Sequence, residues 1–155
     1  EASEAGANSS STEAPRGSLC RLIGWMLGTP LQDSEGPLRF GLAADAKTTH
    51  WIRHFPAEVM TSKLRIAGAH LEEHLGPARL RFALEERAGA LHLHLVGMRF
   101  WGLPCPRALL PRVTAIETGR GDQLHFYIQA SLPFGGLVTR YAGHLELGTE
   151  RTGHP

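Results

Sequence analysis

Residues Ala78 to Leu95, ARLRFALEERAGALHLHL, decide the fold. Leu80, Phe82 and Leu84 alternate with Arg79, Arg81 and Glu85, so an extended chain here has one apolar and one charged face. Ala88-Gly89 supplies a turn, and the alternation resumes as Leu91, Leu93 and Leu95, with His92 and His94 on the opposite face. Two strands joined through so short a turn run antiparallel. Leu80, Phe82 and Leu84 are therefore expected to face the core.

The same period of two extends outward in both directions. Upstream, Leu38, Phe40 and Leu42 are followed by the turn-like Ala44 to Thr48 and then by Trp51, Arg53 and Phe55, a first hairpin. Ser62 to Leu75 continues with Leu64 and Ile66, and Gly76-Pro77 breaks it before Leu80. Downstream, Val113 to Glu117 and Leu124 to Ala130 read as strands joined by Gly119-Arg120-Gly121-Asp122, and a last strand runs from Leu137 to Leu147. Between them, FWGLPCPRALLP (Phe100 to Pro111) is too apolar for a freely solvated loop and is expected to pack over one end of the sheet. The expectation is a mainly β fold, an antiparallel meander of about eight strands. Curling into a barrel or half-barrel would protect its edges.

Before the strands, Ser18 to Leu27 reads as a short N-terminal helix. Leu19, Leu22, Ile23 and Met26 form its apolar stripe, Ser18 its cap, and Gly28 and Pro30 its stop. Residues 1–17 carry no apolar side chain larger than Ala apart from Pro15 and read as a disordered tail or linker. Residues 18–148 then form a single β domain, with 149–155 as a flexible C-terminus. A chain of 155 residues is enough for one core.

Sixteen basic and fifteen acidic side chains leave a formal charge of +1, and no basic run is interleaved with aromatics, which argues against a nucleic-acid partner. Leu19 to Leu31 is too short and too interrupted to span a bilayer. Cys20 and Cys105 exclude a disulfide framework and leave a single bridge open. The chain starts at Glu1 rather than Met and reads as a fragment or processed form, so targeting signals are not legible, with the cytoplasm slightly favoured.

From Pro37 to Leu147 the order of signals resembles the family called domain of unknown function 4166. The resemblance is carried by Trp51, Arg53 and Phe55 in WIRHF, by Ser62, and by Glu73 with Gly76-Pro77 in EHLGP. Gly102, Pro104 and Pro111 follow in the Pro-rich loop, then Phe126, Leu137, Tyr141 and Gly143. At its start the chain departs from the pattern, with an acidic, Ser-rich segment where family members have an apolar and basic lead-in. The resemblance implies a fold and a neighbour, since such domains are sometimes joined to a saccharopine-dehydrogenase-like, NAD(P)-binding oxidoreductase domain. It implies no catalytic residue and no cofactor.

Three constellations can carry chemistry. His70-Leu71-Glu72-Glu73-His74 matches the H-x-x-E-H zinc string, but a strand would put Glu73 on the face opposite His70 and His74 and no third ligand is indicated. His92 and His94 share a strand face and could form half of a metal site with His125 or His144, although a wet sheet face explains them as well. The preferred ligand site is Trp51, Arg53, Phe55, Glu73 and Tyr141. Here Arg53 offers a fork to an acid, and an amphipathic acid suits the parity. The competing structural account pairs Arg53 with Glu73 as a partly buried ion pair and leaves the aromatics as core.

Arg120-Gly121-Asp122 is explained by a hairpin turn, and no P-loop, G-x-S-x-G or G-x-G-x-x-G is present. The expected function is a noncatalytic binding or accessory domain that holds an amphipathic small molecule or docks on an oxidoreductase domain. The rivals are a small histidine- or metal-dependent enzyme and a purely structural interaction module.

Overall fold

The structure, a computed structural model, describes residues 2–13, 15, 17–31, 33–45, 48–56 and 58–146. Its elements in chain order are β1 (Ala2–Glu13), α1 (Ser18–Leu27), β2 (Ser34–Asp45), β3 (Thr48–His54), β4 (Val59–Ala67) and β5 (His70–Leu75). There follow β6 (Ala78–Arg87), β7 (Ala90–Phe100), β8 (Leu103–Pro104), β9 (Arg112–Arg120), β10 (Gln123–Ser131) and β11 (Leu137–Glu146). All strand pairings are antiparallel, in the order β6-β5-β4-β3-β2-β1-β11-β10-β9-β7-β8, and β6 pairs in addition with β7. The fold is mainly β with one helix, as expected.

The expected count of about eight strands becomes eleven, for three local reasons. The stretch read as one strand up to Leu75 folds back at Gly68-Ala69, where Gly68 takes a positive φ of 63° and Ala67 pairs with His70. Leu103–Pro104 adds a two-residue strand against β7. The third addition is β1, formed by residues expected to be a tail. Its Ala, Ser and Gly side chains give no periodicity, but a ladder is made by backbone groups, and β1 pairs with both β2 and β11. Residues 2–13 of the expected tail thus pair within the same sheet as the strands that follow α1. The expected flexible terminus, 149–155, lies outside the described residues.

Tight turns fix the register through the middle of the chain. At Ala88-Gly89 both residues have positive φ, 52° and 76°, the geometry of a two-residue hairpin whose twist matches that of the strands. Gly76, at φ 54°, turns β5 into β6 directly beneath the helix, where a Cβ would stand 2.6 Å from the Met26 carbonyl oxygen. Gly121-Asp122 closes β9 onto β10, while Gly119 and Arg120 belong to β9 itself.

Helix α1 occupies the expected residues. Its N-cap is Gly17 rather than Ser18, no side chain caps it, and Gly28 ends it in the left-handed conformation. The expected apolar stripe is displaced. Cys20 and Gly24 are buried, whereas Leu19 and Leu22 are exposed. Cys20 packs with Leu132 and Val138 and Leu27 joins the cluster of Phe55, Met60 and Leu75, so the helix lies across the sheet end that holds the β5–β6 and β10–β11 turns. The Pro-rich loop does not bury its apolar residues as expected. Trp101 and Leu103 are 70% and 72% exposed, with Phe100 and Trp101 packed edge-on against each other. Cys20 and Cys105 are free thiols, and no helix among the described residues is long and apolar enough to cross a membrane.

Candidate functional site

Alternation turns one face of the sheet toward a shared cavity and the other away from it, the inner and outer faces. Leu80, Phe82 and Leu84 of β6 line the inner face, as do Leu91 and Leu93 of β7, and Leu124, Phe126 and Ile128 of β10. These residues do not meet in the middle. They surround a cavity of about 870 Å³ to which β3 to β7 and β9 to β11 all contribute. That volume is within the range of small-molecule sites. The end under α1 is filled by Phe55 and Leu75, packed with Met60 and closed by Leu27. The other end is marked by lining residues that are largely exposed, Ile66 at 68% and Leu84 at 42%.

Polar groups sit inside this apolar wall because their strand parity turns them inward. On β3, Arg53 lies on the same face as Trp51, and its guanidinium carbon stands 5.2 Å from the indole ring centre. Arg53 also donates to Ser62 Oγ on β4 at 3.0 Å and to Glu73 Oε1 on β5 at 3.3 Å. Burial works against the Arg53 charge. Tyr141, Glu73 and Glu117 outweigh it and hold the guanidinium above the ordinary arginine range. The ion pair and the cavity wall are thus the same residues. The structural account of Arg53 and the binding account are both drawn from one geometry, since Trp51, Arg53, Glu73 and Tyr141 all line the cavity.

Phe55 is not with them. It lies at the filled end, buried to 6%, with its ring 5.4 Å from that of Tyr141 in an edge-on contact. Two further residues of the cavity wall, Glu117 and Thr139, were not legible as site residues, and neither was Ser62, which supports Arg53 from outside the lining. Ser62 is the buried hydroxyl that receives Arg53. Glu117 is the second carboxyl in the wall, and burial pushes its pKa above the usual carboxylate range while Arg53 draws it back. Thr139, two residues before Tyr141, has a buried hydroxyl with no hydrogen-bond partner among the described residues. The signal for Glu117 was its parity with Val113 and Ala115, which also line the cavity.

The histidine candidates lie on the outer face. His70, Glu72 and His74 alternate with inward Leu71 and Glu73 along β5, so the H-x-x-E-H string is extended and Glu73 points away from both histidines. His70 meets Arg81 at 3.2 Å, and His74 is pushed below the ordinary imidazole range by burial and by Arg79 and Arg65. His94 bonds Glu85 at 2.8 Å and stacks on His92, and His125 faces His144 across the β10–β11 pair. Among the described residues, no three His, Cys, Asp or Glu side chains are grouped to hold a metal ion.

The family described as domain of unknown function (DUF4166) matches residues 9–145, from the last five residues of β1 to all but the last residue of β11. No curated protein and no solved structure matches the chain.

Proposed function

This chain belongs to that family, and we propose that it is a noncatalytic binding domain that holds an amphipathic small molecule inside its curled sheet. The observation that carries the proposal is the cavity of about 870 Å³, walled by leucines and aromatics and carrying one localised set of polar groups. Curling into a barrel accounts for it, and is supported by the additional β6–β7 pairing, which gives both strands a neighbour on each side. Apolar walls supply affinity at about 25 cal/mol per Å² of ligand surface removed from water, and the polar set orients the ligand. Nothing in the arrangement demands a reacting nucleophile or base.

N-phenyl-1-naphthylamine, a neutral dye that brightens in apolar surroundings, tests the proposal. One saturable site per chain is expected, and Leu93→Trp, which places an indole in the cavity, should weaken binding at least tenfold. No saturable signal from the folded chain, or full binding by the filled variant, would sink the proposal.

A second reading is docking on an NAD(P)-binding oxidoreductase domain. It is favoured by the exposed Trp101, Leu103 and Leu109 of the Pro-rich segment, which form a large apolar surface next to β7.

A further inference from the structure

The charged groups of the cavity are engaged to different degrees on its two walls. On the β3–β5 side, Arg53 is taken up by Ser62, Glu73 and the Trp51 ring. Arg65, which also contributes to the lining, is held in an ion pair by Glu72. On the β9–β11 side Glu117 and Tyr141 feel the Arg53 charge across the cavity but make no hydrogen bond among the described residues. The Glu117 carboxyl has no hydrogen-bond or ion-pair partner among the described residues. The Tyr141 side chain lines the cavity, is 3% exposed and packs against the rings of Phe55 and Phe126, and its hydroxyl makes no hydrogen bond among the described residues. Thr139, on the same face of β11, carries a buried hydroxyl without a partner. Buried polar atoms are nearly always bonded, so a wall with three unmet groups is a wall that a ligand's polar end would complete.

Counting charges decides the sign of that end. The lining holds two arginines and two glutamates; Arg53 is paired with Glu73 and Arg65 with Glu72 outside the lining, which leaves Glu117 as the lining carboxyl without an ion pair. A carboxylate ligand would bring a further negative charge beside Glu117 and Glu73, with Arg53 already committed. An ammonium would bring the missing positive charge and three donors, and Glu117, Tyr141 and Thr139 are all acceptors.

Resting on the binding reading above, we propose that the cavity takes amphipathic primary amines, the ammonium held at Glu117 with the Tyr141 and Thr139 hydroxyls and the hydrocarbon against the leucine wall. This reverses the amphipathic acid expected from Trp51 and Arg53 alone. The raised Glu117 pKa agrees with it, because burial disfavours the ionised form more than the Arg53 charge restores it.

The test is calorimetric titration of the intact chain at pH 7.5 with decylamine, decanoate and decanol, each kept below its micellar range. Decylamine should bind saturably and at least tenfold more tightly than decanoate, with decanol between them. Glu117→Gln should weaken decylamine about tenfold or more and leave decanol unchanged. Decanoate binding as tightly as decylamine, or decylamine unaffected by a folded Glu117→Gln, would overturn the amine assignment while the cavity stands. Failure of all three probes would instead remove the binding reading. Should Glu117→Gln not fold, the ranking of the three probes on the wild-type chain decides the matter alone.

Discussion

The two ends of the inner face are built from the same residue types on the same alternating pattern, yet only one is solid. Beneath α1, Phe55, Met60, Leu75, Phe126, Tyr141 and Leu145 form one buried cluster, closed off by Leu27. Toward the β4–β5 and β6–β7 turns, Leu64, Ile66, Leu71, Leu84, Leu91 and Leu93 face a void. The difference lies in what each end has to fill it. The packed end receives a helix and a cluster of six aromatic or long apolar side chains, whereas the open end is lined by aliphatic residues with no covering element among the described residues. Alternation thus determines which way a side chain points, and the volume of the neighbouring elements determines whether that direction is filled.

The largest expected effect is at the packed end. Phe55 is buried, does not itself line the cavity and meets Tyr141 edge-on, so Phe55→Ala should cost about 3 to 5 kcal/mol in chemical denaturation. A loss under about 1 kcal/mol would mean that this end is no better packed than the other, and the contrast would fail.

Next comes the boundary between the two ends, where Arg53 and Glu73 are buried as a pair. Arg53→Met leaves Glu73 without its cation, at an expected cost of about 3 kcal/mol. Removing both charges in Arg53→Met with Glu73→Met should be milder than the single change, because no uncompensated carboxylate remains. Additive losses in the double variant would show that the two side chains act as independent packing groups and that the pair is not what divides the wall.

The same contrast separates what was legible in the sequence from what was not. Leu80, Phe82, Leu84 and the Trp51, Arg53 parity are period-two signals, and each points to the inner face. The pair Arg53 and Glu73 was legible because a cation and an anion on apolar faces need each other. β1 was hidden because its pairing is made by backbone groups that every residue carries. Phe55 shares parity with Arg53 but sits at the packed end, and parity holds no information about depth along a strand. Glu117 was passed over because it ends an apolar run, where a charged residue reads as a strand boundary. The strand in fact continues to Arg120, so Glu117 remains on the inner face.

The smallest expected effect is at the open end and is the most discriminating. Leu84 is on the face that Leu80 and Phe82 share, but it is 42% exposed where they are 9% and 4%. If burial followed alternation alone, Leu84→Ala would resemble a core truncation and cost about 2 kcal/mol or more. Since the side chain already faces a void and solvent, little packing is lost, and a change under about 0.5 kcal/mol is expected, with Leu80→Ala as the costly comparison. The same substitution removes apolar wall from the cavity margin, so it should weaken naphthylamine binding measurably while hardly moving the denaturation midpoint. A Leu84→Ala loss equal to that of Leu80→Ala would show that the open end is closed in solution, and the division between a solid and a hollow end would no longer describe the sheet.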